Sequence, residues 1–408
     1  MNDIFRVPTA AASAADLLGS YHGGDAFFSS PHQTLLAQGV AATLPALPVE
    51  ALADAARDLL AAHRRPGQPL PLLIGAIPFR SDAVAQLCIP ARVHYGSGSA
   101  AQLLDRMQPC VATPAADVAA ATATDIRHQP GKQGYQANVS QALALMQRGV
   151  LDKVVLSRSL RVAAQIDLPG LLQRLAQRNV LGYTFAVPLG DTQRTLIGAS
   201  PELLLARRGR HVVSNPLAGS IPRSADPAED QRRARGLLQS AKDLHEHAVV
   251  IDAVAAALRP FCSRLDVPAG PSLLATPTMW HLSTEMRGEL ADPATTSLQL
   301  ALALHPTPAV CGHPTAAARD FIAEVEGFDR RYFTGLTGWC DADGDGEWAV
   351  TIRCAEVGAH DATLYAGAGI VPGSEPALEW RETSAKLNTM LGAMQLEAAL
   401  ADTPEVQS

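Results

Sequence analysis

The sequence predicts an α+β protein built on a mainly antiparallel sheet. Strand-like runs at 182–189, 195–198, 203–206 and 211–214 follow one another across turns of a few residues. Such spacing suits antiparallel pairing and leaves no room for the crossover helices of a parallel sheet. Helical periodicity is gathered elsewhere, above all over 226–258. The chain has 408 residues, 47 % hydrophobic and 18 % charged, which is material for a large core. By length alone it would form two or three domains.

Taken in order, residues 1–110 mix alanine-rich segments with one apolar run, PLPLLIGAIPF at 69–79. That run reads as a buried strand ending at Pro78. Residues 111–132, rich in Ala, Thr and Pro, read as a connection over the surface. A helix is expected over 133–148 and a strand over 152–159, DKVVLSRS. The helical region 226–258 has Pro227 near its start and Arg259-Pro260 at its end. Later strands are expected at 335–341, 347–357 and 363–366. Gly367, Gly369 and Gly373 follow, then Ser374 as an N-cap and Pro376 opening a final helix. Residues after about Ala398 read as frayed.

The net charge of −7 argues against a general nucleic-acid binder, though a pocket can be locally positive in an acidic protein. The six cysteines (88, 110, 262, 311, 340 and 354) form no C-x-x-C and read as reduced thiols. The N-terminus lacks a basic and apolar leader, and no apolar run reaches membrane-spanning length. The expectation is a cytoplasmic protein that binds neither membrane nor nucleic acid, and a monomer.

Two acidic pairs stand three residues apart on expected helices: Asp243 with Glu246, and Glu379 with Glu382, the latter followed by Lys386 one turn on. Each pair is either a solvated helix face or half of an oxygen-rich Mg²⁺ site, since Mg²⁺ takes one or two carboxylates and borrows ligands from water and substrate. Lys153 opens an apolar strand; it either reaches solvent or, partly buried, acts as a base. Glu202 precedes the apolar run LLL, where burial would raise its pKa and make it a proton donor. Asn215–Arg223 reads as a turn-rich loop, either an ordinary connection or a donor of free N–H groups to a carboxylate. Two motifs are decoys. Asp341–Gly346 mimics the start of an EF-hand, but its twelfth position is Ile352. Gly367-x-Gly369 continues to Pro372 where a dinucleotide fingerprint needs glycine.

Together the segments DKVVLSR, IGASPELLL, NPLAGSIPR, SAKDLHEHAVV, MWHLSTEMRG, ALHPTPAVCGHP, RRYFTGLTGW, DGDGEWAVTIRCAE and AGAGIVPGSEPALEWRETSAKLNTML resemble the chorismate-utilising enzymes, in particular their siderophore-pathway isochorismate synthases. They cover about residues 150–391 in family order, while the N-terminal third matches loosely. The resemblance implies one domain over 1–408, with 1–130 its variable part and 131–395 its catalytic core, folded as two stacked, mainly antiparallel sheets flanked by helices. It implies Lys153 as the base that activates water and Glu202 as the acid that protonates the departing C4 hydroxyl of chorismate. Glu246 and Glu382 would hold Mg²⁺, supported by Asp243 and Glu379 through metal-bound water. Arg353 would pair with the enolpyruvyl carboxylate, Gly219, Gly367 and Lys386 would contact substrate carboxylates, and His281 would lie at the ring.

Branch positions narrow the resemblance. Ala218 stands where aminodeoxychorismate synthases resemble one another in a nucleophilic lysine. Lys153 speaks against the anthranilate synthases and their glutaminase partner. Salicylate synthases, which share the lysine, usually carry Thr where this chain has Ala309. The expected activity is therefore isochorismate synthase, with salicylate synthase as the alternative and a non-catalytic chorismate-binding protein as a third reading that the intact acid–base residues oppose.

Overall fold

The computed structural model describes residues 12–100, 125–190 and 192–396. Cys110, residues 111–124 of the connection expected over 111–132, and the tail after Ala398 lie outside them.

Hydrogen bonding runs without interruption through sixteen strands. One half of the ladder is Ile126–Gln129, Lys153–Ala163, Asp361–Ile370, Cys354–Val357, Arg194–Ser200, Tyr183–Leu189 and Ala26–Ser29. Gln33–Thr43 and Gln86–Ser97 carry it round a corner, with a register shift between Val40 and Ala42. The other half is Leu72–Ile77, Leu336–Asp341, Gly346–Val350, Leu203–Arg208, His211–Asn215, Met286–Leu290 and Cys262–Asp266. Every one of these pairings is antiparallel, as the short turns required. The two expected layers are thus the halves of one ladder curled back on itself.

Side-chain alternation shows the stacking. Phe28, Phe185 and Leu196 from the first half share a core with Ile74, Trp339, Ala349 and Ala206 from the second. Their strand neighbours point the other way. Phe27 and Ile197 pack under helices Leu168–Arg178 and Pro376–Met394, through Leu171, Leu175, Leu387 and Met390. Leu73, Leu205 and Trp348 pack under helices Val49–His63, Ala241–Leu258 and Ser297–Leu304. A separate three-stranded sheet, Leu217–Pro222, Met279–Ser283 and Ser272–Ala275, leans against the acidic helices. Among the described residues, no helix is long and apolar enough to cross a membrane.

Four local expectations change. The helical region 226–258 is two helices, Pro227–Leu237 and Ala241–Leu258, because Ser240 accepts from the Asp243 N–H and starts a new one. The run 347–357 is two strands, because Arg353 takes a left-handed φ of +50° that no strand accommodates. Much of the supposed loop 215–223 is strand Leu217–Pro222, with a bulge between Leu217 and Ser220. Part of the expected connection, Ile126–Gln129, is strand as well. The Asp341–Gly346 turn is a hairpin, its Asp343 and Asp345 N–H groups donating to Asp341 Oδ1 at 2.9 Å.

Candidate active site

Helix Ala241–Leu258 buries Glu246, His247, Val250, Val254 and Leu258 along one face. His247 is a fastener: Nδ1 lies 3.0 Å from the Ala218 carbonyl and Nε2 2.7 Å from Thr284 Oγ1. It clamps the helix to the small sheet and leaves Glu246 facing the interior cavity.

Helix Pro376–Met394 begins as expected at Pro376, but Glu375 occupies the cap position without a side-chain bond. Ser374 Oγ instead accepts from the Val371 N–H at 3.2 Å. Glu382 accepts from Ser220 Oγ at 3.0 Å and pairs with Lys386 Nζ at 2.6 Å. Lys386 also donates to the Gly367 carbonyl at 2.9 Å, tying the helix to strand Asp361–Ile370. Burial raises the Glu382 pKa most strongly, but the Lys386 and Lys242 ammonium groups and the Ser220 hydroxyl together outweigh it and the net shift is downward. Glu379 moves the other way, raised by burial and by the Glu382 charge. Its partner is Lys242, Nζ 2.8 Å away. Asp243 is also raised, by burial first.

Lys153 is completely buried. Its Nζ lies 2.9 Å from Glu246 Oε1, an ion pair without hydrogen-bond geometry. Glu202 sits at the mouth of the turn before Leu203–Arg208 and accepts weakly from the Leu217 N–H at 3.4 Å. Burial lifts its pKa to about 7, against the opposing pull of that N–H and of Lys153 and Arg353. A buried carboxyl poised there keeps a proton to give near neutrality.

Arg353 is buried, its pKa lowered to about 10 by burial, so it stays cationic. Its left-handed backbone immediately precedes strand Cys354–Val357, and its carbonyl accepts from the Ala199 N–H at 3.0 Å. That non-glycine residue in a sparsely populated conformation faces the cavity. His281 Nε2 lies 3.5 Å from Arg353. Burial and the Arg353 charge hold the ring neutral. Gly219, at φ +80°, completes the bulge; a Cβ there would meet Asp243 Cβ at 3.1 Å.

One cavity, with roughly 630 Å³ of empty space, is lined by Glu202, Gly219, Glu246, His281, Ala309, Arg353, Gly367, Glu382 and Lys386. Lys153, Asp243 and Glu379 do not line it: Lys153 lies behind Glu246, and Glu379 turns to Lys242. Sequence reasoning missed Ser220, Thr334, Tyr365 and Gly369 in the wall, and Lys242 as a counter-ion. Ser220, Lys242, Thr334 and Gly369 fell inside quoted motifs; nothing in those segments marks Tyr365. Ala218 lines the cavity too, so its small side chain is chemically relevant.

Among the described residues, no three His, Cys, Asp or Glu side chains converge as a metal cluster. Two carboxylates, Glu246 and Glu382, do face the same cavity. An all-oxygen pair with space beside it fits Mg²⁺, which draws its other ligands from water and substrate.

A proton-bearing carboxyl and two cationic side chains, Arg353 and Lys386, in one cavity, with a buried lysine behind its Glu246 wall, make this the site of an acid–base enzyme for a small anion. The chain belongs to the family described as chorismate binding enzyme, whose family model matches residues 92–395. It is 50 % identical to isochorismate synthase DhbC of Bacillus subtilis (strain 168), over 94 % of this chain and 97 % of that protein. It is 46 % identical to the vibriobactin-specific isochorismate synthase of Vibrio cholerae serotype O1, over 91 % of each. The crystal structure of DhbC from Bacillus anthracis superposes with a TM-score of 0.87 at 47 % identity, covering 94 % of this chain and all of that one.

Proposed function

We propose that the protein is an isochorismate synthase that adds water at C2 of chorismate and expels the C4 hydroxyl, feeding siderophore synthesis. The observation that carries the reaction is Glu202, whose carboxyl keeps its proton up to about pH 7 inside a cavity it shares with the cations Arg353 and Lys386. The names of the similar enzymes, one of them vibriobactin-specific, support the siderophore assignment.

In this reading Lys153, once deprotonated, takes a proton from the attacking water. The C2–O bond forms, the ring double bonds shift, and the C4–O bond breaks. Glu202 passes its proton to the leaving oxygen, which departs as water, so the product is an isomer of the substrate. Arg353 receives the enolpyruvyl carboxylate, Lys386 and the Gly219 and Gly367 backbone attend the carboxylates, and neutral His281 packs at the ring. A Mg²⁺ held by Glu246 and Glu382, with Asp243 and Glu379 acting through its waters, would neutralise the ring carboxylate when bound.

Ala309 in the cavity wall offers no hydroxyl, which favours release of isochorismate over onward elimination to salicylate. Chromatography of a chorismate reaction with Mg²⁺ tests this. Isochorismate with little pyruvate is expected; salicylate and pyruvate in equal amounts would make the protein a salicylate synthase, and untouched chorismate would refute an enzymatic role.

A further inference from the structure

A second cavity, with about 940 Å³ of open space, adjoins the first and shares Pro201 and Arg353 with it. It is bounded by the end of helix Leu168–Arg178, the 276–278 turn and the outer face of helix Pro376–Met394. Thr278 Oγ1 and Thr389 Oγ1 approach to 3.4 Å across it.

Its charge is one-sided. Arg178 and Arg353 line it, and no Asp or Glu does, although the chain carries a net charge of −7. Arg178 is exposed in the last helical turn, and among the described residues no hydrogen bond or ion pair engages its guanidinium. Asn179 and Asn388 add amides beside it. An unpaired arginine in a concave, carboxylate-free site focuses field on an incoming anion, and its planar fork suits a carboxylate.

We propose that this vestibule is the entry station for the ring dicarboxylate substrate, and that Arg178 is a positioning residue which holds one carboxylate before Arg353 draws it into the reaction cavity. The inference rests on the chorismate reading above. Arg178 touches none of the reacting atoms, so its effect falls on capture and leaves the chemical step alone.

The test is steady-state kinetics with chorismate and Mg²⁺ on wild type, Arg178→Ala, Arg178→Glu and Arg178→Lys, at low and physiological ionic strength, with melting temperatures alongside. Expected are an unchanged kcat, a KM raised several-fold in Arg178→Ala and about tenfold or more in Arg178→Glu, and an intermediate KM in Arg178→Lys, which keeps the charge but loses the fork. The decline of kcat/KM with salt should flatten in Arg178→Ala. Wild-type KM and salt dependence in all three variants would overturn the vestibule alone, as would a fall in kcat that tracks melting temperature. Absence of turnover in the wild type would overturn the functional reading and the vestibule with it.

Discussion

Lys153 Nζ meets Glu246 Oε1 at 2.9 Å, directly beside Gly369. A Cβ on residue 369 would stand 2.0 Å from that same carboxylate oxygen and 3.2 Å from Lys153 Cε. The glycine is therefore what allows a lysine on one strand and a glutamate on a helix to meet across the next strand.

Gly369→Ala is accordingly expected to fold, because the clashing atom ends a flexible side chain that can swing away. Glu246 would leave its position, and a displacement near 1 Å typically costs on the order of 10²-fold in rate. Turnover and melting temperature measured together check this: a near-native melting curve with turnover lost is the expected pair.

Glu202 links stability to activity. Folded, it holds its proton to about pH 7, against an ordinary value of 4.5. Between those values the folded state binds the extra proton, so this group's contribution to stability declines as pH rises. Above the window the buried carboxylate costs on the order of 3 kcal/mol. Glu202→Gln should thus melt higher than wild type at pH 8, with the gap closing toward pH 4.5, while losing roughly 10²–10⁴-fold in rate. In wild type, kcat/KM should fall above about pH 7 as the acid ionises. A variant less stable than wild type at pH 8 would contradict the assignment.

Activity is expected to depend on Mg²⁺. Lysines neutralise the carboxylates in its absence, Lys153 at Glu246, Lys386 at Glu382 and Lys242 at Glu379, so the fold should survive chelation. Glu246→Gln and Glu382→Gln should each raise the half-saturating Mg²⁺ concentration about tenfold or more. Magnesium titration of turnover, beside melting curves with and without chelator, measures both halves of this expectation.

Arg330 and Glu326 form a fully buried pair, with Arg330 Nε 2.7 Å from Glu326 Oε2 and the Ser157 N–H donating to Glu326 Oε1 at 2.7 Å. Arg330→Met would strand that carboxylate at a cost of about 3–5 kcal/mol. Chemical denaturation should show the loss. A midpoint within error of wild type would mean that Glu326 is satisfied without Arg330.

The sequence by itself determined the antiparallel class, through turns too short for crossovers, and most strand positions, through their apolar runs. It also marked Glu202, Glu246, Glu382 and Lys386, because i, i+3 and i, i+4 spacing on a helix and an acid before an apolar strand are local patterns. Long-range contact was decided only in the tertiary structure. Nothing local announces that Lys153 reaches Glu246, that Lys242 pairs with Glu379, or that Arg353 turns left-handed between two strands. The curl of the ladder was hidden for the same reason: alternation tells which side chains share a face, but which faces meet depends on strand order, and that order joins residue 154 to residue 370 and residue 28 to residue 185.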